Sequence, residues 1–387
     1  MKKVKFDKKM IFWGVALLVV MLIFNIVYWH NRALKDGYYY IDIKGNIVSG
    51  RYEQTGGFRD GIAVYSEKKG DLEEHFCIDT DFKVLGDKIT DWKKETFCIY
   101  DGEIYFSVMK EESIDLMDKG RNTILSIPYV TKDISDIKCV VGEVGANGLF
   151  AIKDFQSGKW GYMDLGGNMV IVPQFSTAGK FNEDNVAVVS IQGGMDGVID
   201  SKGNYKIEPS FLDIELYGSG IAIARKTEDE AAQFIDLDGN VLSDKQFDYY
   251  AGDKSASEGF IPVKKYNRFM RDIYGYVDLK MNYLIEPCEP RYADADDFSH
   301  GMAVVTNADG LQGYVDTTGK EVIPCQYEYA GDFGEYDLAA VKINGKMGLI
   351  RKDGSFFVNP DYDTLGAFSS GYSVVYLHKG QKVKLCK

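Results

Sequence analysis

Residues 159–190 read KWGYMDLGGNMVIVPQFSTAGKFNEDNVAVVS. The run Lys159–Asp164 is aromatic and apolar and predicts a first strand. Leu165-Gly166-Gly167-Asn168 follows, with residue types that take positive φ at low steric cost. Met169 to Pro173 predicts a second strand. Pro173 lacks an amide donor and so suits a strand end. An irregular stretch carries Phe175 and Phe181, and Val186 to Ser190 predicts a third strand. Strands this close in sequence pair most easily as antiparallel hairpins. A three-stranded sheet is marginal alone, so its apolar face must be buried by neighbouring units.

The unit recurs. Asp42, Asp79, Asp118, Asp164, Asp200, Asp236, Asp278 and Asp316 each open a turn, and Arg351 takes that place last; the steps run from 35 to 46 residues. Gly45, Gly120, Gly166, Gly203, Gly239, Gly319 and Gly354 follow within four residues. Aromatics six residues apart form a second column: Tyr52/Phe58, Phe175/Phe181, Phe211/Tyr217, Tyr292/Phe298, Tyr327/Phe333 and Tyr362/Phe368. A third column is Gly before a small-apolar run, as in Gly61-Ile62-Ala63-Val64 and Gly301-Met302-Ala303-Val304. Asn185 and Asp337 stand in for that Gly, and both tolerate the left-handed bend.

The sequence Lys159-Trp160-Gly161-Tyr162-Met163-Asp164, its Gly turn, Val170 to Pro173, an aromatic and a Gly/Ala/Val strand resemble the bacterial WG repeat. The resemblance spans about residues 36–387 as about nine copies, strongest from 159 onward and weakest around 73–153. Only Trp160-Gly161 keeps the dipeptide; elsewhere it reads Asp196-Gly197, Tyr274-Gly275, Gln312-Gly313 and Met347-Gly348, and the copy at Ala232-Gln233 loses the Gly. The resemblance implies a non-catalytic, mostly β repeat protein. The expected fold is all-β: three-stranded antiparallel units in an open superhelical stack, with a closed propeller-like ring as the alternative, preceded by one transmembrane helix.

That helix is read from the N-terminus. Residues 1–10 hold five lysines and one aspartate, a basic tail of +4. Ile11 to Trp29 is uncharged over 19 residues, enough at ~1.5 Å per residue to cross a ~30 Å hydrocarbon core. His30-Asn31-Arg32 offers no small-residue cleavage site, so the segment reads as an uncleaved signal anchor. The positive-inside rule places the tail in the cytoplasm and the repeats outside, divided into divergent copies (36–158) and regular ones (159–387). The whole chain carries −13, leaving −17 beyond the tail, which argues against a nucleic-acid partner.

No motif supports catalysis. His30, His75, His300 and His378 have no zinc-ligand spacing, and no GxSxG or Walker loop occurs. Asp236-Leu237-Asp238-Gly239-Asn240 lacks the span and closing Glu of a calcium loop and reads as a turn. Asp294, Asp296 and Asp297 read as a solvated acidic loop, and His300 as a turn residue. The paired aromatics read as core plugs between units. Cys77 and Cys98 fall in successive segments of one worn copy and are close enough in sequence to meet; the six cysteines otherwise read as scattered thiols. Lys110 to Asp118 offers a helical turn, and Val383 to Cys386 a final edge strand guarded by lysines. The expectation is a non-enzymatic module without catalytic, metal or cofactor residues. It is held in the membrane by Ile11 to Trp29 and binds or scaffolds an envelope protein or cell-wall glycan. A sensor subunit working through a membrane partner and a glycan-active enzyme are the alternatives.

Overall fold

The computed structural model describes residues 35–386 apart from 60, 70–71, 90–94, 101–102, 111–112, 119, 121, 129–143, 155–156, 246–255, 267–268, 270 and 289–291. Among these residues the fold is all-β, in nine small antiparallel sheets, with a short 3-10 turn at Glu335–Asp337 and no α-helix. The first sheet holds Gln54–Thr55, Ile62–Lys69, Leu72–Asp79 and Val84–Ile89; the second Glu95–Tyr100, Glu103–Met109, Ser113–Met117 and Thr123–Pro128. The third holds Leu149–Asp154, Lys159–Asp164 and Met169–Phe175; the fourth Thr177–Ala178, Val186–Ser190, Asp196–Asp200 and Tyr205–Phe211. The fifth (Asp213–Gly218, Ile221–Arg225, Gln233–Asp236) and sixth (Phe260–Tyr266, Asp272–Asp278, Tyr283–Ile285) have three strands. The seventh holds Asp294–Ser299, Met302–Thr306, Gln312–Asp316 and Glu321–Tyr327; the eighth Tyr329–Ala330, Leu338–Ile343, Lys346–Arg351 and Phe356–Tyr362. The ninth joins Gly37–Ile41 to Ser373–Leu377, the two ends of the array.

The repeat in the sequence and the sheet in space are out of phase. Lys159–Asp164 and Met169–Phe175 lie in the third sheet, but Val186–Ser190 crosses to the fourth, where it pairs with Asp196–Asp200 of the following copy. The expected three-strand unit is therefore corrected. Connection length explains it: five residues separate Val186–Ser190 from Asp196–Asp200, whereas ten separate it from Met169–Phe175. The shorter link closes as a hairpin at lower entropic cost.

The phase shift leaves the array with an unpaired strand at each end, and these pair with each other. Ile41 faces Ser373 and Gly37 faces Leu377. Counting from Asp42 and Asp200, this is the register in which Ile199 faces Ala187. The open superhelical stack is thus corrected to the ring. Hydrophobic clusters agree, each joining one sheet to the next. One packs Ile62 and Cys77 on Phe106, one Leu149 and Tyr162 on Ala187, and one Tyr217 and Phe234 on Ile261. The circuit ends with Tyr39 and Ile41 packed on Leu338 and Leu349, and Tyr40 and Val374 on Ala63 and Ile78. No sheet curls into a barrel of its own; each buries its apolar faces against two neighbours.

The Gly of the Trp-Gly position has a steric cause. The strand after it is bulged, with register shifts on both sides of Tyr162, and a Cβ on Gly161 would lie 2.4 Å from the Ile171 carbonyl oxygen. Gly275 and Gly313 face the same obstacle, at 2.2 Å from the Ile285 and 2.5 Å from the Ile323 carbonyl oxygens. Pro173 sits inside its strand at this bulge rather than at the end, because the bulge removes the ladder position that would need its amide. Gln233 and Tyr39 occupy the Gly position without such a strand beside them; only isolated bridges such as Ile235 to Val241 and Tyr38 to Tyr52 form there.

The second sheet departs furthest. Ser113–Met117 is a strand, not the helical turn expected near Lys110, and its ladder is regular from Ser113 to Leu116. Asp115 fills the Gly position there, buried beside Lys110, Ser113 and Ser126. Burial works to raise its carboxyl, but those donors outweigh it and hold it below the usual range. The segment Ile11 to Trp29 lies outside the described residues, as do the Cys98 side chain and Cys139; among the described residues no helix is long and apolar enough to cross a membrane.

Candidate binding surface

The Asp column is a turn device. Asp164 Oδ1 accepts the Asn168 amide at 2.8 Å, and Asn168 Nδ2 donates to Oδ2 at 3.0 Å. Asp42, Asp200, Asp236 and Asp278 accept from the amides two and four residues on in the same way. The Asn168 side chain and backbone donors hold the Asp164 carboxyl below the usual range, and Asn240 does the same for Asp236. Each carboxylate thus closes its own turn. Asp236 to Asn240 forms this turn, as the sequence predicts.

The aromatic column is interior. Phe175, Phe181, Phe298, Phe333 and Phe368 are 1–3% exposed, which agrees with plugs between sheets rather than a sugar-stacking groove. A further column escaped the sequence reading. Tyr40, Tyr162, Tyr276 and Tyr314 follow the Gly position, and each hydroxyl donates to a carbonyl of the next sheet's entry segment: Gly56, Gly179, Asp296 and Gly331, at 2.7–2.8 Å. Their rings pack 4.7–5.0 Å from Phe58, Phe181, Phe298 and Phe333. Burial pushes the Tyr162 and Tyr314 hydroxyls far above their ordinary pKa, so they remain donors. The recurrence of Tyr two residues before the column Asp was the available signal.

At the end of the ring that carries the Asp turns, tight turns link sheet to sheet. Asn185 and Asp337 keep the left-handed bend, with φ 57° and 54°. Asp184 accepts the Gly220 amide, Glu258 the Gly301 amide, and Glu335 both the Ser370 and Gly371 amides. Ser370 Oγ then accepts the Gly61 amide across the chain ends. His300 occupies one such turn, exposed, as expected.

The opposite end varies. The Trp position holds His75, Trp160, Asp196, Tyr274, Gln312 and Met347, and the facing strand holds Ser66, Lys153, Ser190, Lys264, Thr306 and Lys342. Asp196 and Gln312 accept the amides of Ile214 and Ala330 in the following sheet. Burial raises the Asp196 carboxyl despite its Ser190 donor. Beside His75 an open cavity of about 210 Å³ is lined by Gln54, Thr55, Tyr65 and Ser66. One frame thus presents different chemistry at each sheet. The acidic residues Asp294, Asp296 and Asp297 lie on a strand, not a loop, and among the described residues no three His, Cys, Asp or Glu side chains converge for a metal ion. Burial lifts the Cys325 thiol to about 11.

A model of the WG-containing repeat matches residues 160–194, 234–269, 274–310, 313–346 and 347–379. The described residues of the unmatched stretches 35–159 and 195–233 also form small antiparallel sheets. No curated protein matches the chain. Among solved structures the chain is similar to BamB from Moraxella catarrhalis, with 10% identity, 89% of this chain and 98% of that one covered, and a TM-score of 0.38. It is also similar to apo AztD from Citrobacter koseri, with 11% identity, 90% and 96% covered, and a TM-score of 0.40. Hsv2p of Kluyveromyces lactis gives 10% identity, 67% and 91% covered, and 0.39.

Proposed function

We propose that this WG-repeat protein is a non-catalytic binding or scaffolding module, anchored by Ile11 to Trp29 with its repeats outside the cytoplasmic membrane. The observation that carries the reading is the contrast between the ring's two ends. The Asp turns and the tyrosines repeat one backbone contact from sheet to sheet, while the residue at the Trp position changes type on the same scaffold, from His75 to Trp160 to Met347. Repeat arrays of this kind build extended recognition surfaces. An envelope protein or wall glycan is the ligand class, and the acidic balance disfavours nucleic acid.

The test uses the full chain in detergent, tagged at its C-terminus. It is mixed separately with purified cell-wall sacculi and with solubilised envelope proteins of the same cell. Retention on sacculi, reversed by soluble wall fragments, supports glycan binding. Capture of one defined envelope protein supports a scaffold. Depletion by neither sinks the reading.

A further inference from the structure

The outer strands of the sheets are built alike but end differently. Residues 382–386 lie along Phe356–Tyr362 of the eighth sheet: Leu385 bridges Val358 and the Cys386 amide donates to the Phe357 carbonyl at 2.7 Å. Arg351 Nη2 donates to the Cys386 carbonyl at 3.2 Å, and Tyr362 takes part through its hydroxyl with Lys382 and Lys384. The tail thus lines one of the chain's own outer edges through a single isolated bridge, where the sequence pattern expected a full edge strand over Val383 to Cys386. Beneath it Phe356 and Phe357 are half-buried.

Met169–Phe175 in the third sheet is the same strand in the same register, with Ile171 facing Tyr162 as Val358 faces Leu349. It has the same apolar start, but Met169 and Val170 are 42% and 43% exposed and Val172 65%. Other sheets guard this edge. Lys206 and Glu208 stand at the positions of Val170 and Val172 in the fourth sheet, and Glu286 stands at that of Val172 in the sixth. Charge at exposed edge positions is the usual protection against unwanted pairing. The third sheet lacks it, and Met169–Phe175 contains no charged residue.

We propose that this edge is a docking site for an extended segment of a partner protein, added as a further strand where, in the eighth sheet, the chain's own tail lines the matching edge. The proposal rests on the binding-module reading and names its partner class. The segment alternates apolar and basic residues. Its apolar side chains become cross-strand neighbours of Val170 and Val172. A lysine or arginine meets Asp164, whose counterpart in the eighth sheet, Arg351, instead holds a backbone carbonyl. Backbone pairing supplies affinity and the alternate side chains supply choice of partner.

The probe is an acetylated, amidated peptide QKVKLSK, the sequence of residues 381–387 with serine for cysteine. It is added to the full chain in detergent, and amide hydrogen exchange is followed. Slowed exchange over 169–174, saturable with peptide and weakened at least tenfold by Val172→Glu, is the expected result. Glutamate is native at the matching position 208, so this variant folds. Replacing the peptide lysines with glutamates should abolish the effect. Protection over 356–362 alone, no saturable protection, or an unchanged response in Val172→Glu overturns the proposal. Self-association through the same edge, seen as a Val172-dependent dimer in sedimentation, overturns it in favour of a second copy. If wild type captures an envelope protein and Val172→Glu captures it equally, the edge fails while the binding-module reading stands. If the peptide docks as stated but no envelope ligand is captured, the reverse holds.

Discussion

Two strand pairs of this ring share a register and differ in their covalent link. Val186–Ser190 and Asp196–Asp200 are joined by a five-residue turn, while Ser373–Leu377 and Gly37–Ile41 meet in the same register with the whole chain between them. Val189 and Val375 hold matching positions and are both fully buried. The comparison shows that the ring's closure needs no special contact. It is the ordinary hairpin of the repeat with its turn cut, so the phase of repeat against sheet decides where the chain begins and ends.

The largest effect should come from placing a charge in each pair. Val375→Asp and Val189→Asp each bury an unpaired carboxyl, at a cost of about 4 kcal/mol or more. Urea unfolding measures both. If closure is an ordinary hairpin, the two costs agree within about 1 kcal/mol; a far smaller cost for Val375→Asp would show a ring that functions open. A permuted chain sharpens the same point. Joining residue 377 to residue 37 through a five-residue turn and opening the chain between Ile191 and Met195 should give the same near-UV circular dichroism and cooperative unfolding. A molten or aggregated product would show that the native hairpin is indispensable.

Next come the bulges. Gly313→Ala puts a Cβ 2.5 Å from the Ile323 carbonyl oxygen and should cost about 3 kcal/mol. Gly345→Ala, at φ 75° with open space around it, should cost only about 1 kcal/mol. Equal costs in urea unfolding would refute the steric account of the Trp-Gly position. Smaller again is Tyr314→Phe, which removes the 2.7 Å bond to the Gly331 carbonyl, for about 1 kcal/mol. Val198 lacks that bond natively, so Val198→Tyr tests whether the staple transfers.

The smallest expected effect is acidic. The Asp164 and Asp236 carboxyls are held below their ordinary values, so they add stability above their unfolded pKa, near 3.9. That contribution is lost as pH falls through the lower folded value. Thermal midpoints should fall below about pH 4. Asp236→Asn, which keeps an acceptor but no charge, should flatten that fall slightly. A steeper fall in the variant would contradict the turn assignment.

Much of this was legible before the fold. The strands Lys159–Asp164 and Val186–Ser190, the Asp turns, the interior aromatics and the left-handed bend at Asn185 all follow from local chemistry, because propensity, turn geometry and periodicity act over a few residues. The Tyr staples were legible only as recurrence, since their acceptors lie sixteen to twenty residues away in another sheet. Pro173 was misplaced because a bulge depends on the neighbouring strand. Asp115 was unreadable because its donors include Ser126, eleven residues on and across a strand pair.

The sequence by itself determined that this chain is a run of short β-strands with Asp-Gly turns and buried aromatics, and that the run repeats. Only the tertiary structure decided which strands share a sheet, that the first pairs with the last, and that the tail bridges one outer edge while Val170 and Val172 lie exposed on another. Those outcomes depend on the choice among alternative strand partners. That choice is set by connection length and by packing between sheets far apart in the chain, and neither is recorded in any single repeat.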